Sequence, residues 1–547
     1  MTQDGSPPNI LILCMDQWDM RMELPEDVEL PALRRLVESG VTFDRHYCTV
    51  PICTPSRATM WTGLHAKRTP LWDNTNFAWT DDLPEGHPTI GSMLREHGYY
   101  TAFKGKWHLN ADVPRSEDAL EPYGFSDYQQ WGDMFGAPLQ GAMLDGAVAF
   151  ETVDWLRHKR PDGRPWLLVA SLVNPHDIMY LRTAAEEEPH PDGAMADKLH
   201  PAQTLGFMRD HDVDLPANFD DDLEQQPYGV HSYKRGIEWT YARIPEGRDD
   251  LWKARRRYLV NCMRMVDLQF STILDELDAQ GLWDDTVVIF TSDHGEMNGA
   301  HRLSQKGAIH FDEATVVNMT AVTPGGPRGV RTSAVGSHLD LAPTVLALAG
   351  VDADERARRY PDLAGRDLSG VFTDPGEHAP RGSTERPGDG ALITWDGLNM
   401  LDPEWAIQGA LRRLVDLPSD PELRAARMRE VGETYGAPDF TKRTFFRAVV
   451  DGRYKLVRWF SPSEYEAPRD VEELYARSDV TVHDLVADPG ELENIGHPDH
   501  PRYDGELVAR LLAKLNALIE RAFVTDECPF DFDMFGTRDV TYRDAAD

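Results

Sequence analysis

The chain has 547 residues, too many for one small domain and enough for a large core with a second, smaller unit. Its 56 basic and 92 acidic residues leave a net charge of −36, which disfavours nucleic acid and anionic membrane as partners and obliges any anion site to concentrate its own positive charge. Hydrophobic residues make up 41%, as in an ordinary globular protein, and the five cysteines (Cys14, Cys48, Cys53, Cys262, Cys528) are too few and irregular for a disulfide framework or a zinc cluster.

In chain order, Ile10 to Met15 reads as a buried strand ending at Asp16. It begins too early to follow a signal peptide, and no apolar run approaches the roughly 20 residues of a membrane span, so a cytoplasmic chain is expected. The run Pro51 to Gly63 follows. Thr54 suits an N-cap, Pro55 the first helical position and Gly63 a left-handed close. Cys53 is thereby expected at a helix N-terminus, with Arg57 one turn in, where amide hydrogens and the dipole favour an anion. Residues 89 to 97 read as a helix ending at Gly98, and Tyr99 to Phe103 as a strand before Lys104 to His108.

Trp166 to Val173 is a strand leading to Asn174 and His176, and Val287 to Ser292 one leading to Asp293 and His294. Between them, residues 178 to 250 are rich in Pro, Gly, Asp and Glu and read as a long excursion over the site; residues 251 to 280 carry Tyr258, Cys262, Val266, Ile273 and Leu277 at helical spacing. Residues 372 to 440 read as irregular, Phe446 to Trp459 as a hairpin turning at Asp451-Gly452, and residues 505 to 522 as the last helix. Strands alternating with helices imply a largely parallel sheet covered on both faces, with ligands beyond the carboxyl ends of its strands. The polar residues fall there. Asp16, Asp293 and His294 could hold a divalent metal, and Arg57, Lys106, His108, His176 and Lys306 could supply positive charge.

Cys53-x-Pro55-Ser56-Arg57, with Thr62-Gly63 beyond it, resembles the signature of the type I sulfatases, in which a maturation enzyme converts the cysteine to formylglycine. The resemblance implies an α/β, alkaline phosphatase-like fold: a largely parallel sheet flanked by helices, with a smaller C-terminal α+β subdomain containing an antiparallel sheet. It implies a catalytic domain over 1–371, an irregular insertion over 372–440, the C-terminal subdomain over 441–522 and a tail over 523–547. The implied chemistry starts from the hydrated aldehyde: one hydroxyl attacks sulfur and the other later expels sulfate as the carbonyl re-forms. Cys53, Asp16, Asp293 and His294 match the metal shell, Lys106 and His108 the Gly-Lys-Trp-His-Leu motif, and His176 and Lys306 the groups that meet the leaving oxygen.

Asp16-Gln17 and Asp293-His294 stand where many sulfatases have Asp-Asp and Asp-Asn, and look like the choline sulfatase and phosphonate monoester hydrolase branch. This leaves one ion, Ca²⁺ or Mn²⁺. Asn74 matches an asparagine of that branch that binds the transferred group, and Trp72 and Trp79 beside it permit an aromatic or cationic-headgroup pocket. His301 and His310 read as structural. The implied partners are a small-molecule sulfate ester and the formylglycine-generating enzyme. A phosphonate monoester or phosphodiester hydrolase is the nearest alternative, although those enzymes typically lack the Lys and His that this chain has at 106 and 108; a non-catalytic binder of sulfated ligands is the remote one. The tail segment Cys528 to Phe535 places four apolar side chains among acids and is expected to pack on a neighbouring subunit of a homo-oligomer.

Overall fold

In the computed structural model the described residues are 5–183, 193–201, 208–241, 243–376, 389–523 and 525–536. Parts of the 178–250 excursion, residues 377–388 of the 372–440 stretch and residues 537–547 of the tail lie outside them.

Seven strands form the main sheet: β1 (Asn9–Asp16), β2 (Val41–Tyr47), β3 (Tyr100–Gly105), β4 (Trp166–Pro175), β7 (Thr286–Ser292), β8 (Met319–Val322) and β9 (Val330–Ser337). A short pair, β5 (Leu181–Arg182) and β6 (His200–Pro201), stands apart from it. The spatial order is β3-β4-β1-β7-β8-β2-β9, and only β8 runs against the rest. On β1 the side chains alternate between two cores. Ile10, Ile12 and Cys14 meet Trp61, Leu94 and Leu346 on one face; Leu11, Leu13 and Met15 meet Val148, Leu259 and Phe270 on the other. Burial on both faces is why this run is apolar throughout, and truncating one residue, as in Leu13→Ala, is expected to cost about 2–5 kcal/mol.

The second sheet is antiparallel, β10 (Ala391–Trp395), β11 (Phe445–Val450), β12 (Tyr454–Phe460) and β13 (Asp479–Asp484), in sequential order. The hairpin between β11 and β12 turns at Asp451-Gly452, where Gly452 holds φ +104° and the Asp451 amide donates to Tyr454 O at 3.0 Å. Helix Gly505–Phe523 lays Leu507, Leu511, Leu515 and Leu518 on Val449, Leu456 and Val482 of this sheet. Among the described residues no helix is long and apolar enough to cross a membrane.

Two expectations change, and the described part of the tail has a definite place. The 178–250 excursion contains the helix Tyr228–Thr240, whose short stripe of Val230, Tyr233 and Ile237 enters the core beside β10; polar residues between those positions masked the period. The 372–440 stretch contributes β10 and the helix Pro421–Tyr435. That helix is fixed by an Asp420 cap and by buried Arg424, which donates to the carbonyls of Thr75, Thr80 and Pro418, so it needs little apolar patterning. The described part of the tail packs on its own chain: Phe530 against Trp72 and Phe440, Phe535 against Trp405, and Asp526 in ion pairs with Lys67 and Arg447. Its apolar side chains join a local aromatic cluster of this chain.

Candidate active site

Parallel strands release their chains at one edge of the sheet, and the polar residues that follow them converge there. β1 ends in Asp16, β3 is followed by Lys106, β4 by His176 and β7 by Asp293-His294. After β2 comes the helix Cys53–Thr62, every residue of which is buried. The cap differs from the sequence expectation: Ile52 is the extended N-cap, Cys53 is the first helical residue, and Gly63 closes the helix at φ +71°. Thr54 serves elsewhere, donating its hydroxyl to His108 O at 3.0 Å. Its amide is capped from another loop by Asn74 Oδ1 at 2.9 Å.

Asp16, Cys53, Asp293 and His294 each direct one ligand atom to a common point, all within 4.8 Å of one another and all buried. His294 Nδ1 lies 3.0 Å from the Gly295 carbonyl, an arrangement that fixes the proton there and leaves Nε2 for an ion. That Nε2 stands 3.2 Å from Cys53 Sγ, 3.6 Å from Asp16 and 3.7 Å from Asp293. Burial alone would keep His294 neutral, but Asp293, Cys53 and Asp16 raise its pKa. The field that attracts a proton to this ring equally attracts a cation in its place. Two carboxylates, one imidazole and the oxygen that a modified Cys53 would present, with Sγ marking that oxygen's position, therefore fit a hard or borderline divalent ion.

Arg57 lies beneath these ligands instead of facing an anion. Its Nε donates to Asp293 Oδ2 at 2.8 Å, Nη2 to Asp16 Oδ2 at 3.1 Å, and Nη1 to Lys106 O and Ser171 Oγ, both at 2.8 Å. The second cation on Asp16 is Lys106, at 2.6 Å. Against the cost of burial, Lys106, His176, Arg57 and His294 hold Asp16 well below the usual carboxylate range. Burial and Asp16 push the Cys53 thiol up, but Lys106, Lys306 and His294 outweigh them and lower its pKa.

His108 and His176 are buried, and each has an Nδ1 without a hydrogen-bond partner. Burial and nearby cations, Lys106 for His108 and Lys306 for His176, hold both pKa values well below the usual histidine range, so both rings are neutral bases at neutral pH. His108 has a left-handed backbone, φ +56°, clamped by Asp133, which accepts from its amide at 2.7 Å and from that of Trp107 at 2.8 Å. The turn bearing His176 is tied down by Asp145, which accepts from Val173 and Asn174, and by Asp177, which accepts from Gly141 and Ala142. Gly136 packs against His176 so closely that a Cβ there would come within 2.5 Å of the ring.

Lys306 donates to Gln17 Oε1, and its Nζ lies 3.3 Å from Met179 Sδ. Gln17 holds φ +66° and gives its amide nitrogen to Glu296 at 2.5 Å; Arg255 pairs with Glu296 at 2.8 Å. Gln17 thus turns away from the ligand cluster and holds a lysine. Trp79 stacks on Phe77 and donates to Asp73 at 3.0 Å, while Trp72 lies against Phe530, so both tryptophans are buried in packing around Asn74. Sequence reasoning missed Asp133, Ser171, Glu296 and Arg255, which stand in no recognisable local pattern. Of the two histidines read as structural, His301 stacks on Phe311 and bonds Asp221 at 2.6 Å, whereas both ring nitrogens of His310 lack partners.

A family model for sulfatases matches residues 8–351. The uncharacterized sulfatase YidJ of Escherichia coli is 27% identical over 365 residues, covering 62% of this chain and 66% of that protein. The choline-sulfatase of Rhizobium meliloti is 27% identical over 380 residues, covering 64% of this chain and 69% of the relative. The match therefore spans about two thirds of each relative's length. Among solved structures, the phosphonate monoester hydrolase of Agrobacterium radiobacter superposes with a TM-score of 0.60 at 22% identity, covering 94% of this chain and 95% of that one. At that identity the likeness is one of fold.

Proposed function

The chain belongs to the sulfatase family, and from that premise we propose that it hydrolyses an organic sulfate monoester to an alcohol and inorganic sulfate, using formylglycine made from Cys53 and one divalent ion, Ca²⁺ or Mn²⁺. The observation that carries the reading is the convergence of Asp16, Cys53, Asp293 and His294 within 4.8 Å, with Lys106 on Asp16.

When bound there, the ion polarises the transferring group and lowers the pKa of the attacking hydroxyl. Hydrated formylglycine supplies that hydroxyl and a second one through which the product can leave. The chain's own residues do the rest. Arg57 and Lys106 offset the charge of the ligand carboxylates and fix their orientation, and Lys106 also faces the sulfate oxygens. His108, neutral at neutral pH, takes the proton of the second hydroxyl. His176 and Lys306 meet the bridging oxygen as it acquires charge, and Asn74 donates its amide to the transferred group.

The reading brings with it a formylglycine-generating enzyme as partner, a cytoplasmic setting consistent with five free cysteines, and assembly into a homo-oligomer. A phosphonate monoester or phosphodiester hydrolase is the second reading; the Asp16-Gln17 and Asp293-His294 pairs are shared by it and by choline sulfatases, while the presence of both Lys106 and His108 favours the sulfatase. Two measurements test the proposal. Mass spectrometry of chain matured with the formylglycine-generating enzyme should find the Cys53 peptide lighter than encoded, and a panel of aryl, alkyl, choline and sugar sulfates beside a phosphonate monoester should show the highest kcat/KM on a sulfate. A fully active enzyme with an alkylatable Cys53 thiol would overturn the mechanism, and a preference for the phosphonate would overturn the substrate class.

A further inference from the structure

A second set of metal-ligating side chains lies outside the catalytic cluster. His310, His483 and Glu491 are buried, and one ligand atom from each falls within 4.8 Å of the others. They come from separate parts of the fold. His310 follows the Lys306 segment, His483 lies on β13, and Glu491 is in the loop after that strand. Both ring nitrogens of His310 and of His483 are shielded from solvent and lack a hydrogen-bond partner. A buried polar group left so costs about 1–3 kcal/mol, and an ion between the rings would meet one nitrogen of each.

The chemistry of the set selects the ligand. Burial, with Lys455 adding to it, keeps both imidazoles neutral, His483 being pushed down to about 3, so their lone pairs are available. The backbone of Glu493 interacts with the His483 ring and favours an N–H on that side, which leaves the lone pair of the other nitrogen for an ion. Glu491 accepts the Asp312 amide through Oε2 at 2.7 Å, and Lys455 Nζ stands 2.8 Å from Oε1, a carboxylate oxygen that has a second lone pair for an ion. Lys455 is itself satisfied by His310 O at 2.9 Å and Asp312 Oδ1 at 2.8 Å. Three carboxylates, Asp312, Glu313 and Glu491, stand against two cations here, Lys455 and Arg21.

We propose that His310, His483 and Glu491 form a second, structural site for a divalent transition ion of the zinc type, joining the Lys306 segment of the catalytic domain to the C-terminal sheet. Two imidazoles and one carboxylate are a borderline donor set, unlike the harder catalytic cluster.

The test uses the full-length chain carrying Asp16→Asn with His294→Ala, which disables the catalytic cluster. After chelator treatment and dialysis it is titrated with Zn²⁺. It should bind one equivalent at micromolar concentration, and adding His483→Gln should weaken binding at least ten-fold. Binding of no equivalent, or binding unchanged by His483→Gln, overturns the proposal. Should the triple variant not fold, Co²⁺ titration of the double variant carrying Cys53→Ala as well, which leaves Asp293 alone in the catalytic cluster, decides: visible bands of low-coordinate cobalt support the site, and their absence overturns it.

Discussion

Removing Lys306 should damage turnover in proportion to how much charge the leaving oxygen carries. Lys306 is 5% exposed and its ammonium is held by the neutral Gln17 amide, so that its hydrogen-bond partner there is not a carboxylate. Glu296, paired with Arg255, anchors the other end of Gln17. A full negative charge about 4 Å from such a cation gains about 4 kcal/mol at an effective dielectric of about 20. Loss of one preorganised donor typically costs about 100- to 1,000-fold in kcat, or about 2.7–4 kcal/mol. The two magnitudes agree for an alkyl sulfate, whose bridging oxygen keeps its charge. An activated aryl leaving group delocalises that charge, so its loss in Lys306→Ala should be about ten-fold smaller. The assay is kcat and kcat/KM for alkyl and aryl sulfates of graded leaving-group pKa, in which the variant should show a steeper dependence. Equal losses across the series would refute the assignment. Burial lowers the pKa of Lys306, so wild-type activity should fall as pH rises through that value, and Lys306→Ala should lack this limb of the profile.

Cys53→Ala should retain a bound ion, measurable by elemental analysis, while losing turnover, because Asp16, Asp293 and His294 remain but the nucleophile does not. Cys53→Ser should stall after one event, since a single hydroxyl can attack sulfur but cannot expel sulfate as a carbonyl; intact mass should reveal a sulfated chain. Asp526→Asn tests the tail. Against the cost of burial, Arg447 and Lys67 pull the Asp526 pKa from 3.8 to about 2, so its ion pairs contribute about 2 kcal/mol of stability that is present above pH 3.8 and lost as pH falls through about 2. Denaturant titrations should show the gap between wild type and Asp526→Asn at pH 7 closing toward pH 2; a constant gap would refute the linkage. Truncation after Phe523 should lower Tm, because Phe530 and Phe535 no longer cover Trp72 and Trp405, and light scattering of the same variant tests the homo-oligomer.

The ends of β1, β3, β4 and β7 were legible because a buried strand writes its own signal: a short apolar run closed by polar residues. The Cys53 to Gly63 motif, the Lys106-x-His108 pair and the Asp293-His294 pair were legible for a similar reason, each being contained in one short segment. The helix Pro421–Tyr435 was not, because it is held by a cap and a buried arginine and carries almost no apolar stripe. Tertiary structure alone decided that Arg57 supports the ligand carboxylates, that Asn74 caps the Cys53 helix, that Gln17 holds Lys306 and that the tail folds onto its own chain. These outcomes join groups separated by 20 to 459 positions in sequence. Residue type specifies what such a side chain can donate or accept; which partner it meets is set only when the sheets and loops pack and exclude the alternatives.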